Sequence, residues 1–217
     1  MRAAGILFDF DHTLVDSPID FVAMRQGVYD VIDRYGVAVP DRDRHLILEV
    51  LEQAVAMVPG ETSRAMREEA ERGVLEVELT AARQACEVAG AASSLARLRA
   101  EGRGVAIITR NCRQVVEGVL AQLPLPYDVL LTRDDVSDLK PHPGHAWAAC
   151  TALGVAPAEA LLVGDFRADI ECALAAGMVP IGVTTGSADA AALYAAGALA
   201  VLPSVAALPD WLRQQGW

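Results

Sequence analysis

Lysine is almost missing from this chain of 217 residues: of eighteen basic side chains, one, Lys140, is lysine and the remaining seventeen (18 − 1) are arginine. Positive charge is short altogether. The net charge of −11 excludes nucleic-acid or anionic-membrane partners, which need basic patches. Aromatic residues make up 5% of a chain that is 53% hydrophobic, the balance of an alanine-rich globular protein rather than a disordered one. Cys86, Cys112, Cys150 and Cys172 lack the close spacing of a metal or disulfide framework, so reduced thiols of a cytoplasmic protein, serving as small buried fillers, are expected. Long apolar runs are lacking too. The longest, Leu193–Leu208, is interrupted by Tyr194, Gly197, Pro203 and Ser204, which excludes a membrane span. The apolar start is short and broken by Asp9, unlike a secretory leader.

What is present alternates. From residue 91 onward, apolar strands at Val105–Thr109, Val129–Thr132, Ala160–Gly164, Pro180–Val183 and Ala198–Leu202 are separated by helical stretches near Arg113–Gln122, His145–Leu153, Ile170–Ala176 and Ala188–Ala196. Such repetition predicts an α/β fold with a parallel sheet covered on both faces. Gly177 marks a helix C-terminus. Residues 15–90 break the rhythm: they show no strand and read as helices at Ile19–Tyr35, Arg42–Met57 and a charged run from Ser63 to Val88. With fifteen acids and eight arginines they carry −7, against −4 from the fourteen acids and ten bases elsewhere. A structureless loop of that length is improbable. We therefore expect a core of residues 1–14 and 91–217 with a helical insert at 15–90.

Candidate chemistry gathers where strands end. Ile6, Leu7 and Phe8 lead into Asp9 and Asp11, two acids in i, i+2 register that repel unless a cation or proton intervenes. Val105–Ile108 leads into Thr109, Arg110 and Asn111, where a hydroxyl and the open amides of a helix start can hold phosphate oxygens. Leu161–Gly164 delivers Asp165, with Asp169 four residues on at the mouth of the next helix and Gly164 allowing close backbone approach. Lys140 opens Lys-Pro-His-Pro, a stiff turn. A compact ammonium there suits a phosphoryl oxygen better than a guanidinium fork. Carboxylates with room for water suit Mg²⁺. The set points to phosphoryl transfer: Asp9 as nucleophile, Mg²⁺ and Lys140 offsetting charge on the phosphoryl oxygens, and Asp11 as general acid, then base.

The motifs Asp9-Phe-Asp11-His-Thr13, Thr109, Lys140-Pro-His-Pro and Gly164-Asp165-x-x-x-Asp169, in that order across nearly the whole chain, make it similar to the haloacid dehalogenase superfamily on its phosphatase side. The resemblance implies a Rossmann-like core with a flap after the first motif. It implies metal ligation by Asp9, Asp165 and the backbone carbonyl of Asp11, with Asp169 in support, and a helical C1-type cap in the insert. Leu14-Val15-Asp16-Ser17 and Lys-Pro-His-Pro resemble the phosphoglycolate phosphatase-like branch. Asp11 argues against a dehalogenase, which needs no acid. The single lysine argues against phosphonoacetaldehyde hydrolase, whose cap supplies one. His12 stands where the family has glycine, and Arg110 where a smaller residue or asparagine is commoner. The expectation is a phosphatase of a small phosphorylated metabolite such as phosphoglycolate or a sugar phosphate, acting as monomer or homodimer. A phosphomutase using the same intermediate is the alternative. A receiver-like phospho-acceptor is disfavoured because there the lysine follows all the acids.

Overall fold

The structure, a computed structural model, describes residues 3–217. In chain order its elements are β1 (Gly5–Phe8), β2 (Val15–Asp16), α1 (Phe21–Arg34), α2 (Ile47–Ala56), α3 (Gly60–Ala82), β3 (Cys86–Glu87), α4 (Ala91–Ala100), β4 (Gly104–Ile108), α5 (Arg113–Leu120), β5 (Val129–Leu131), α6 (Gly144–Leu153), β6 (Ala160–Gly164), α7 (Arg167–Ala176), β7 (Val179–Val183), α8 (Ala190–Ala196), β8 (Ala200–Leu202) and α9 (Leu208–Gln214). Six strands form one sheet in the order β5-β4-β1-β6-β7-β8, every neighbouring pair parallel. This is the α/β architecture that the alternation predicts.

The strands are apolar throughout because both faces are covered. Ile6, Leu7, Phe8, Val105–Ile108 and Ala160–Val163 are fully buried, each large side chain gaining roughly 1.5–3 kcal/mol from leaving water. Gly177 ends α7 with φ 74°, a left-handed turn that glycine takes without steric cost. Strand order positions the site. The chain runs outward from β1 to β4 and β5 on one side and, later, through β6, β7 and β8 on the other. At such a reversal neighbouring loops diverge at the carboxyl edge and leave a crevice. The loops after β1, β4 and β6 border it.

The chain divides into a larger unit, running up to Ser17 and then over Ala85–Trp217, and a smaller one, Pro18–Gln84. The smaller unit holds α1, α2 and α3 around its own apolar core, which includes Val28, Ile32, Leu51, Met66 and Val74. Asp20 starts α1 by accepting a hydrogen bond from the Ala23 amide (2.8 Å), a normal helix cap.

Several expectations need correcting. Residues 15–90 do contain strand: β2 and β3 pair antiparallel, Val15 with Glu87 and Asp16 with Cys86. Two-residue strands are too short to show a period. The helix expected over Arg42–Met57 is broken. A single 3₁₀ turn at Arg42–Arg44 follows Asp41, whose φ is 50°, and α2 starts afresh after Leu46, whose amide bonds the Glu49 carboxylate (3.0 Å). The charged run is helical over Gly60–Ala82 rather than Ser63–Val88. Helices α4 and α9 had no counterpart in the reading of the sequence. Cys86 is exposed on β3, while Cys112, Cys150 and Cys172 are buried; all four are free thiols. Among the described residues, no helix is long and apolar enough to cross a membrane.

Candidate active site

The ladder between β1 and β6 extends one residue past Phe8, the Asp9 amide donating to the Val163 carbonyl (2.9 Å). Asp9 therefore leaves the sheet at its carboxyl edge. The chain then folds back on Phe10, whose carbonyl accepts the amides of Thr13, Leu14 and Val15. His12, within this turn, has φ 59°. Glycine takes such a left-handed value without steric cost, whereas histidine pays for it; the imidazole lies 3.4 Å from the Asp16 carboxylate.

Lys140 arrives from the loop between β5 and α6, at the head of a cis peptide bond with Pro141. Its ammonium donates to Asp9 Oδ1 (2.5 Å) and Asp169 Oδ1 (2.7 Å), and the residue as a whole is 3% exposed. Burial works against the charge, but the carboxylates of Asp169 and Asp9 more than offset it and hold the ammonium above its ordinary range. Asp169 stands in the first turn of α7, where its second oxygen accepts the Phe166 amide (3.1 Å). Gly164 is needed beneath it: a Cβ there would fall 2.3 Å from Asp169 Cγ. Arg167 pairs with Glu171 (3.4 Å) and leaves Asp169 to Lys140.

Oxygens of Asp9, Asp165 and Asp169 lie within 4.8 Å of one another. Burial, then the charges of Asp9 and Asp169, push the Asp165 carboxyl up to about 9. Burial also raises Asp169, against the pull of Lys140 and with the push of Asp9, to about 6. Carboxylates this close together repel when ionised, and either a proton or a cation relieves them. The donor set is all hard oxygen, so the three side chains fit Mg²⁺.

Asp11 lies apart from that cluster. The Ser17 hydroxyl donates to its Oδ1 (2.6 Å) and the Asn111 carboxamide to its Oδ2 (3.2 Å). Thr109, at the end of β4, does not cap α5: its Oγ1 accepts the Asn111 amide (3.0 Å). The Cys112 amide is taken by Asn111 Oδ1 (2.9 Å) and the Arg113 amide by Asp134 (2.8 Å). In this structure the amides of Asn111, Cys112 and Arg113 each have a side-chain acceptor. Side-chain oxygens already meet them, as helix starts require. Arg110 lies on the same loop, its carbonyl accepting the Arg133 guanidinium (3.3 Å).

Behind the site, Arg113 bonds Asp135 (2.6 Å) and Glu117 (2.9 Å), and Asp135 also takes the Thr132 amide and hydroxyl, both at 2.7 Å. These contacts brace the loop that carries Lys140. His145 is fully buried, its Nε2 bonding the Leu131 carbonyl (3.2 Å). Burial and the neighbouring Lys140 charge press it down to about 3. Thr13 Oγ1 donates to Asp165 Oδ1 (3.2 Å).

All of the predicted residues thus lie in the larger unit, on the loops after β1, β4, β5 and β6 and, for Asp169, in the first turn of α7. Sequence reasoning missed Ser17 and His145 as parts of the site. Ser17 stood only at the end of the family-like stretch Leu14-Val15-Asp16-Ser17, with no role assigned to it. His145 showed only as a polar residue in an apolar stretch five positions after Lys140.

A family model described as haloacid dehalogenase-like hydrolase matches residues 6–183. Phosphoglycolate phosphatase of Escherichia coli K12 is 35% identical over 97 residues, a match that spans 44% of this chain and 38% of that relative. A solved hydrolase from Pseudomonas syringae superposes with a TM-score of 0.70 at 23% identity, covering 97% of this chain and 98% of the other; this likeness is one of fold. A family hydrolase from Deinococcus radiodurans R1, solved with bound phosphate and sodium, gives a TM-score of 0.66 at 25% identity, covering 98% and 96%.

Proposed function

The chain belongs to the haloacid dehalogenase-like hydrolases, and from that membership we propose that it is a Mg²⁺-dependent phosphatase of a small phosphate monoester. The observation that carries the reading is the division of labour among its acids. Asp9, Asp165 and Asp169 stand together with Lys140 in one cluster, Asp9 at its half-buried edge, while Asp11 is held separately by Ser17 and Asn111.

In this reading Asp9 attacks phosphorus, and the bond from phosphorus to the ester oxygen breaks to give an aspartyl-phosphate. Asp11 delivers a proton to that departing oxygen. Water then attacks the same phosphorus while Asp11 takes its proton, which frees Asp9 and inorganic phosphate. Lys140, Thr109, Arg110 and Asn111 hold the phosphoryl oxygens. Asp9, Asp165 and the Asp11 carbonyl would hold Mg²⁺, with Asp169 in support, and the ion supplies charge stabilisation for those oxygens. Residues 15–90 act as the cap that selects the leaving group. The partial match to phosphoglycolate phosphatase supports a phosphoglycolate-like or sugar phosphate substrate.

The test is released phosphate from a panel of phosphoglycolate, sugar phosphates and nucleotides, with and without Mg²⁺, for wild type and Asp9→Asn. Metal-dependent release is expected from wild type, and loss of at least about 10³-fold in the variant. Undiminished release by Asp9→Asn would overturn the reading, and isomerised sugar phosphate in place of phosphate would identify a mutase.

A further inference from the structure

The loop after β7 has no part in the site as described above, yet it touches the site twice. Its first residue, Thr184, is fixed to the sheet by an amide hydrogen bond to the Leu202 carbonyl (3.1 Å). The next, Thr185, donates its hydroxyl to the His12 carbonyl (2.5 Å). His12 is the left-handed residue directly after Asp11, so this bond pins the peptide that turns the chain between Asp11 and Thr13. Gly186 then packs against Asp165. A Cβ on Gly186 would stand 1.8 Å from Asp165 Oδ2, 2.6 Å from its Cγ and 2.9 Å from its Cβ.

Gly186 is not among the glycines with positive φ. Its lack of a side chain answers a demand for space, not for conformation. Asp165 has little room to yield, being 5% exposed with its other oxygen bonded to Thr13. One loop thus sets the position of the Asp165 carboxylate and of the turn that presents the Asp11 carbonyl.

We propose that Thr185 and Gly186 are positioning residues for the cation site, fixing the distance between Asp165 and the Asp11–Thr13 turn. The inference rests on the phosphatase reading for the identity of the cation. Groups that orient ligands without binding the metal commonly govern its affinity by about 10- to 100-fold. The hydroxyl of Thr185 and the bare Cα of Gly186 act through different ligands, which gives two independent handles.

The experiment is Mg²⁺ titration by calorimetry on the full chain of wild type, Thr185→Val, Thr185→Ser and Gly186→Ala, with thermal unfolding in the absence of metal as a folding control. Thr185→Val keeps shape and removes the hydrogen bond, so it holds the test open if Gly186→Ala fails to fold. The expected result is affinity about 10-fold weaker in Thr185→Val and about 100-fold weaker in Gly186→Ala, with Thr185→Ser near wild type. Wild-type affinity in Thr185→Val, or an equal loss in Thr185→Val and Thr185→Ser, would overturn the inference alone. A wild-type protein that binds no Mg²⁺ would overturn the phosphatase reading and this inference with it.

Discussion

The two units place their charges in opposite ways. In the larger unit Lys140, Asp165 and Asp169 are each at most 5% exposed and stand against one another with little water to screen them. In the helical unit the ion pairs Arg34–Glu69, Arg42–Asp33 and Arg67–Glu52 lie between side chains that are roughly a third or more exposed. Exposed pairs of this kind cover a helix surface and contribute little. Buried like charges, by contrast, cost free energy unless something else compensates them. A fold that keeps two acids out of water, with Asp9 half-buried beside them, is arranged for positive charge. The difference separates chemistry from solubility without reference to any motif.

That comparison can be broken at several strengths. The largest effect is expected at Lys140→Arg, which keeps the charge but puts a wide fork where an ammonium bridges Asp9 and Asp169. We expect kcat to fall about 10²–10³-fold, and steady-state kinetics that match wild type would show that a positive charge of any shape suffices.

A smaller, pH-dependent effect is expected at His145. Its folded pKa of about 3 lies below the ordinary value near 6.5, so the unfolded chain binds the proton and the folded chain does not. The folded state therefore loses stability as pH falls from about 6.5 toward 3, at up to about 1.4 kcal/mol per pH unit. His145→Leu removes that slope. Denaturant unfolding between pH 7 and 5 checks it, an unchanged slope in the variant placing the acid sensitivity elsewhere.

The smallest effect belongs to the helical unit. Arg67→Ala should change unfolding free energy by less than about 1 kcal/mol, measured by the same denaturant titration. A loss of several kcal/mol would mean that the exposed pair with Glu52 behaves like a buried one, and the contrast between the units would collapse.

The sheet was legible because its strands are buried on both faces and show as unbroken apolar runs: Ala160–Gly164 was located to the residue. Helix α1 was legible within Ile19–Tyr35 by the lack of such runs. The β2–β3 pair was not, since Val15–Asp16 and Cys86–Glu87 are joined by hydrogen bonds between backbones seventy residues apart. Nor was the break at Asp41–Leu46, where a left-handed residue and a local cap interrupt a stretch whose composition suits a helix. In the site, Asp9, Asp11, Thr109, Lys140, Asp165 and Asp169 announced themselves by type and by position at strand ends. Thr185, Gly186 and His145 carry no such mark, because their roles lie in what they touch.

The sequence alone determined which residues have chemistry to offer. A lone ammonium among arginines and acids placed at strand ends are statements about residue type and spacing, and these survive without coordinates. The tertiary structure alone decided how the acids are shared out. Asp9 and Asp11 are neighbours in sequence, yet one faces Lys140 and the other Ser17 and Asn111, because the chain folds back on the Phe10 carbonyl between them. It also decided that Gly186 must be bare, since the carboxylate that fills the space beside it comes from another strand. Spacing along a chain can nominate a group, but its partners, burial and protonation depend on what other segments bring within a few ångströms.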